Sequence, residues 1–405
     1  MKIRSITYFC NPKWPIDESV IQQAGLFTQA ARAAFQAAGY EVQTVRLATP
    51  PFMSYLPDVS ALPEVARQME KLCAAQGIDY VSLGPAFPDH IESYDAISAA
   101  LTTTQNVFFS GSLTTAAGRV SLPAVRGCAQ VIHQAAPVTP DGFTNLRFAA
   151  LANVASGSPF FPAAYHSGGV PAFAIATEAA DLAVQAFRQA RTLVEAQQAL
   201  TMTIEQHARS LEKPAAMLAG QYGVSFGGID VSLAPFPDEA LSLGTALEAL
   251  GVPALGEHGS LAAAAILADV IDRAEFQRVG FSGLMLPVLE DATLAKRAAG
   301  GTLSVKDMLL YSAVCGTGLD TLPLPGDVSP AQLSALLLDL AALAVRLGKP
   351  LTARLMPIPG KAAGDPTGFN FAFFANSRVL KLYAAPLQGL LLGDDQFALH
   401  PRKVR

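Results

Sequence analysis

Ile3-Arg-Ser-Ile-Thr-Tyr-Phe9, Glu41-Val-Gln-Thr-Val-Arg-Leu47 and Ile78-Asp-Tyr-Val-Ser-Leu83 are three short runs rich in β-branched and aromatic residues, separated by longer stretches of helical periodicity. Residues 16–38 read as the first helix, ended by Gly39, and residues 63–75 as the second, stopped near Gly77. A strand that returns to a parallel neighbour needs a crossover, and a helix supplies it, so this alternation predicts a parallel sheet covered by helices. The pattern continues with a helix over 95–103, a strand over 106–110 and a helix over 123–134. It breaks at Gly157-Ser-Pro-Phe-Phe-Pro-Ala-Ala-Tyr-His-Ser-Gly-Gly169, where proline and glycine forbid a regular element and predict a loop that runs over a surface or lines a cleft.

The second half repeats the theme. Strands are expected at 172–176, 223–233, 278–287, 351–356 and 369–374, with a long, broken helix over 178–212 and helices over 241–250 and 259–271. Ser329-Pro330 marks a helix start, an N-cap serine followed by proline in the first turn, for a helix running to Leu347. No repeat, linker or composition boundary divides the chain, which reads as one elaborated domain over 1–405 with residues 1–150 as a semi-independent layer.

Composition narrows the function classes. Charged residues make up 15% of the 405 and apolar residues 51%, a balance that predicts extensive burial and a homo-oligomer, most simply a homodimer. The apolar stretches are cut by Asp269, Asp339 and Arg346 before they reach the ~20 residues of a membrane span. A net charge of −5 without a Lys/Arg cluster argues against nucleic acid. Cys10, Cys73, Cys128 and Cys315 form no C-x-x-C pair, so reduced thiols in a cytoplasmic protein are expected.

The stretch Tyr311-Ser-Ala-Val-Cys-Gly-Thr-Gly-Leu-Asp-Thr-Leu-Pro-Leu-Pro-Gly-Asp327 reads as a helix that breaks at Cys315 into a Gly-rich turn carrying Asp320, the layout of a site. Several further segments join it: Pro159-Phe-Phe-Pro-Ala-Ala-Tyr-His166, Phe173-Ala-Ile-Ala-Thr-Glu178, Phe226-Gly-Gly-Ile-Asp-Val-Ser-Leu-Ala-Pro235, Gly256-Glu-His-Gly-Ser-Leu-Ala-Ala263, Ser282-Gly-Leu-Met-Leu-Pro-Val-Leu-Glu-Asp291 and Arg354-Leu-Met-Pro-Ile-Pro-Gly-Lys361. In this order they resemble the uncharacterised family called domain of unknown function 711, a branch of the pyruvate-formate-lyase-like superfamily, and the pattern is shared with uncharacterised protein family 0210. The resemblance implies a pyruvate-formate-lyase-like α/β barrel with helices packed outside a mainly parallel set of strands around a central site. It does not imply radical chemistry: the tail Leu387-Gln-Gly-Leu-Leu-Leu-Gly-Asp-Asp-Gln-Phe397 carries no Arg-Val-x-Gly-Tyr-like element for a glycyl radical, and the adjacent cysteine pair of pyruvate formate-lyase is missing.

Each candidate has a structural counterpart. Cys315 is a proton carrier or a small buried hydrophobe; Asp320 is a site acid or a cap for backbone N–H groups; His166 faces a ligand or lies on a surface. These three are the catalytic candidates. Asp230, Glu257, His258, Ser282 and Arg354 are the substrate-binding candidates, Asp230 because strand ends are where α/β folds put their chemistry, and Glu257-His258 because they precede a helix N-terminus. Asp230, Glu290 and Asp320 offer oxygen ligands for a divalent metal ion, although Glu290-Asp291 also reads as a pair of helix-start acids. No P-loop, dinucleotide fingerprint, H-E-x-x-H or G-x-S-x-G is present. The expected function is a non-radical enzyme, of lyase or hydrolase type, acting on a small polar or carboxylate-bearing metabolite. The alternative is a catalytically silent metabolite-binding or regulatory protein on the same fold. Either reading expects Cys315, Asp320, Asp230, His166 and His258 to converge on one pocket.

Overall fold

The computed structural model describes residues 1–401. The three opening runs become β1 (Lys2–Phe9), β2 (Val42–Ala48) and β3 (Tyr80–Ala86), joined through α1 (Glu18–Ala37) and α2 (Leu62–Ala75). Asp17 starts α1 by accepting the Ser19 N–H, and Gly39 follows its end with φ 90°. After them come α3 (Glu92–Thr103), β4 (Val107–Ser112), the two-residue β5 (Val120–Ser121), α4 (Leu122–Ala135) and β6 (Phe148–Ala152). The second half contains β7 (Ala172–Glu178), α5 (Ala180–Gln189), α6 (Leu193–Tyr222), β8 (Ser225–Ala234), α7 (Leu243–Ala249), α8 (Ser260–Arg273), α9 (Ala292–Gly300) and α10 (Val305–Tyr311). It closes with β9 (Gly318–Pro325), α11 (Pro330–Leu347), β10 (Leu351–Ile358) and the short β11 (Gln396–Phe397), which pairs with β5.

Nine strands form one sheet in the order β8-β7-β1-β2-β3-β4-β6-β10-β9. Neighbours are parallel except at β1/β7 and β6/β10. The hydrogen-bonded ladder does not close on itself through regular strands, yet its two edges share a neighbour. Ile229 of β8 donates its N–H to Gln277 O at 2.8 Å, and Val288 donates to Asp320 O of β9 at 3.1 Å, so the segment 277–288 lies between the two edge strands.

Alternation along the strands sorts the two faces. Ile6 and Tyr8 of β1 join the main core with Phe27 of α1, whereas Phe9 joins Ala48, Phe108 and Phe161 on the other face. That second face receives the loop 157–169. Ser5 and Thr7 hydroxyls donate to Pro159 O at 3.3 and 2.8 Å, and the Ser82 hydroxyl donates to Ala164 O at 2.7 Å. Strand hydroxyls thus satisfy the carbonyls of a proline-rich loop that has no ladder of its own. Helix α11, with the length and composition of a membrane span, is half buried and packs against α4, β6 and β10 as a core helix.

Several expectations need correction. Residues 278–287 form no regular strand, because Gly280 and Ser282 take positive φ (68° and 38°) and the N–H groups of Phe281 and Ser282 go to the Asp230 carboxylate instead of a ladder. Residues 369–374 are irregular, with a turn at 372–373, and are held by the Asn376 side chain, which accepts the Phe369 N–H and donates to Phe369 O. The break expected in the helix over 178–212 falls between α5 and α6, where α6 restarts at an N-cap formed by Thr192, but α6 runs on through Pro214 to Tyr222, ten residues past the expected end. The strand β6, rich in alanine rather than β-branched residues, gave no sequence signal, and of the short α9 only its start at Glu290-Asp291 was marked. Asp320 lies in β9 and not in a turn: Pro323 and Pro325 are tolerated because β9 meets a regular strand on one side only.

Candidate functional site

One cavity is lined by Arg4 of β1, Arg46 of β2, Tyr80 of β3, Phe108 of β4, Ala149 of β6, Ala234 of β8, Asp320 of β9 and Arg354 of β10, so eight of the nine sheet strands reach it. Phe160 to Ala163 of the internal loop, Phe281 and Met285 of the segment between the edge strands, and Phe371 and Phe373 complete the wall. The cavity volume is about 100 Å³, room for a handful of waters or a small metabolite.

A chain of charges runs along one side. Glu178 accepts from Arg4 at 3.0 Å and from Gln43 at 2.7 Å; Arg4 reaches Glu290 at 2.7 Å; Glu290 accepts from Arg354 at 2.7 Å; and Arg354 Nε reaches Asp320 at 2.6 Å. Three carboxylates therefore share two guanidiniums. Burial pushes the carboxyls of Glu178 and Asp320 up, against the pull of Arg4 and Arg354 respectively, and the neighbouring Glu290 pushes Asp320 up further. Burial works against the Arg354 cation, but Asp320 and Glu290 outweigh it and raise its pKa.

Arg46 is different. It is 8% exposed, its Nε donates to Thr44 Oγ1 at 2.9 Å, and its guanidinium sits 5.1 Å from the Phe161 ring centre and 5.6 Å from that of Tyr80. Among the described residues no carboxylate pairs with it. Burial, followed by repulsion from Arg4, pulls its pKa from 12.5 down to about 9, so the group is still a cation at neutral pH.

Asp320, Glu290 and Arg354 are the sequence candidates that meet here. The others lie apart. Asp230 is fully buried, its Oδ1 accepting from Ser232 Oγ at 2.5 Å and Ser282 N at 2.8 Å and its Oδ2 from Phe281 N at 2.7 Å; burial lifts it to about 6. Ser282 donates its hydroxyl to Val279 O at 2.9 Å, so the two residues clamp the irregular segment to β8. Cys315 follows the end of α10, its sulfur accepting the Gly318 N–H at 3.3 Å, in a separate surface cavity with Ser282 and Lys349. Lys349 spends its ammonium on the Ser312, Ala313 and Cys315 carbonyls, orphans of the helix end. His166 is buried beside Phe9 with Nε2 3.1 Å from Gly169 O, outside the cavity lining, and burial lowers its pKa. Glu257 and His258 are exposed ahead of α8. The expected convergence of Cys315, Asp320, Asp230, His166 and His258 is therefore not found: of the five, only Asp320 lines this cavity, Cys315 lines a separate one, and Asp230 is consumed as a buried acceptor within β8.

Asp230, Glu290 and Asp320, the candidate metal ligands, are not brought together, since Asp230 lies apart from the other two. Among the described residues no three His, Cys, Asp or Glu side chains group as ligands, and Glu290 and Asp320 direct oxygens at guanidiniums. Asp291 does cap a helix: its carboxylate accepts the Thr293 and Leu294 N–H groups at the start of α9, whereas Glu290 turns into the cavity. Sequence reasoning missed Arg4, Arg46 and Glu178. The available signal was a charge inside a strand of a sheet covered on both faces, where ionised residues are rare unless paired or used.

These features define an α/β protein with a mainly parallel sheet and an arginine–carboxylate cavity on the face that receives the loop 157–169. The family model described as "Uncharacterised ACR (DUF711)" matches residues 1–371. The chain belongs to this family. A UPF0210 protein of Pyrobaculum arsenaticum is 33% identical over 348 residues, covering 81% of this chain and 76% of the relative. A UPF0210 protein of Methanosarcina acetivorans is 31% identical over 322 residues (75% and 69%), and one of Oenococcus oeni 26% over 370 residues (87% and 82%).

Proposed function

We propose that the cavity is the site of a non-radical enzyme acting on a small carboxylate-bearing metabolite, at the centre of a rolled, pyruvate-formate-lyase-like barrel. Two observations support the rolling. A flat sheet of nine strands is roughly 40 Å wide, yet residues from eight strands line one small cavity. The two edge strands also bond to the same segment, 277–288. A homodimer in the cytoplasm belongs to the same reading, supported by the 15% charged fraction and four buried free thiols.

The observation that carries the ligand class is Arg46. A cation buried against aromatic rings without a counterion is costly in the empty protein. It is useful only where an anion arrives to share the site. A carboxylate matches the planar guanidinium fork. The adjoining acid chain, with the cavity-lining Asp320 held above its ordinary value by burial, supplies a proton donor or acceptor in the same space. This chemistry favours an enzyme over a silent binder.

Dialysis of the purified protein against a cell metabolite extract, followed by mass spectrometry, tests the reading. Carboxylates should be enriched by the native protein and not by Arg46→Gln, and one enriched compound should be converted by the native protein but not by Asp320→Asn. Enrichment of neutral or cationic compounds alone refutes the ligand class; carboxylate enrichment with no conversion leaves a binder.

A further inference from the structure

We infer that the cavity selects monocarboxylates with an apolar body over dicarboxylates, and that Arg46 sets this selectivity. The inference rests on the carboxylate reading above and narrows it. Of the three guanidiniums that line the cavity, Arg4 and Arg354 each already hold two carboxylates: Glu178 and Glu290 for the first, Glu290 and Asp320 for the second. Among the described residues, Arg46 alone meets none, and its single hydrogen bond, Nε to Thr44, leaves both terminal nitrogens for a ligand. One carboxylate is thus provided for. A second would find three acids sharing two cations and would be desolvated beside them without a partner.

Apart from Gln43, Thr44, Thr317 and Thr352, whose side chains already hydrogen-bond within the protein, the remaining wall is apolar. Phe108 packs edge-on against Tyr80 and Phe161 (centroids 5.2 and 5.3 Å), and Phe281, Met285 and Phe371 face the same space. Rings packed in this way offer faces and edges to hydrocarbon and few hydrogen bonds to a polar chain. The sequence alone suggested a small polar or carboxylate-bearing metabolite; the wall around Arg46 favours one charged end and an apolar remainder.

Isothermal titration calorimetry of the full chain with defined probes tests this. Benzoate is compared with benzamide and with all three benzenedicarboxylates, and isobutyrate with isobutyramide, acetate and succinate, so that ring size does not decide the outcome. In at least one of the two sets, the monocarboxylate should bind at least tenfold more tightly than its amide and than its dicarboxylates. Isobutyrate should bind more tightly than acetate, and Arg46→Gln should reduce monocarboxylates to the level of the amides. If no carboxylate binds better than its amide, the carboxylate reading itself fails. If a monocarboxylate beats its amide but a dicarboxylate matches it, or acetate matches isobutyrate, the carboxylate reading stands and the selectivity inference is overturned. A preference that survives Arg46→Gln removes Arg46 from the role.

Discussion

Replacing Arg46 and Arg354 by methionine should have unequal consequences for stability, although both are buried arginines lining one cavity. Methionine keeps an unbranched side chain and removes the charge. At Arg354 the change leaves Asp320, 6% exposed, with no cation and takes one of two from Glu290, the situation in which breaking a buried pair costs about 3–5 kcal/mol. At Arg46 the losses are one hydrogen bond from a charged donor, worth about 1.5–3 kcal/mol, and two ring contacts of about 0.5–2 kcal/mol each. Against these stands the relief of a buried cation whose pKa has been pulled from 12.5 to about 9, with each unit worth about 1.4 kcal/mol. The terms offset to within about 1–2 kcal/mol. Urea denaturation at neutral pH, with the slopes compared so that ΔG is read on the same footing, gives both numbers. Arg46→Met should be neutral within that margin and lose carboxylate binding, while Arg354→Met loses several kcal/mol. An Arg46→Met variant as unstable as Arg354→Met would show that Arg46 is a structural cation, and the argument for an anionic ligand would lose its foundation.

Other substitutions probe the surroundings. Asp230→Asn should cost about 1–3 kcal/mol at neutral pH, since the new amide faces backbone donors. Because burial raises Asp230 from 3.8 to about 6 in the folded protein, its penalty is present above about 6 and relieved as pH falls towards 3.8. The stability gap between native protein and Asp230→Asn should therefore widen on acidification across that window, and a flat gap would contradict the assignment. Cys315→Ala should cost roughly 1 kcal/mol and leave carboxylate binding unchanged, since one buried heavy atom is lost outside the cavity; loss of binding or turnover would return Cys315 to the mechanism. Gly280→Ala places a Cβ 2.1 Å from Asp230 Oδ2 at φ 68°, and thermal unfolding should show a loss of more than about 3 kcal/mol. A near-neutral Gly280→Ala would mean that the clamp between Asp230 and the 277–288 segment is loose.

Local order was legible wherever one residue pattern dictated one backbone. The runs that became β1, β2 and β3 alternate or concentrate β-branched residues, and the Ser329-Pro330 start of α11 carries its capping box, Ser329 with Gln332, in plain view. Asp320, Glu290 and Arg354 were singled out for their chemistry, and they are neighbours across two strands and a turn. The segment 278–287 misled because its apolar residues fit a strand, whereas its backbone donors are claimed by Asp230, some 50 residues earlier. Periodicity carries no record of such a partner.

The amino-acid sequence by itself determined the alternation of strands and helices, most of their limits and the family, because helix caps, glycine stops and two-residue periodicity are satisfied by near neighbours. Which charges share a cavity was decided only by tertiary structure. Arg4 and Glu290 are 286 residues apart and meet because the fold brings β1 opposite the turn before α9. Arg46 has no carboxylate partner for the same kind of reason: its strand delivers it among aromatic rings, and whether a cation there is paired or left for a ligand depends on what every other strand sends into the same space.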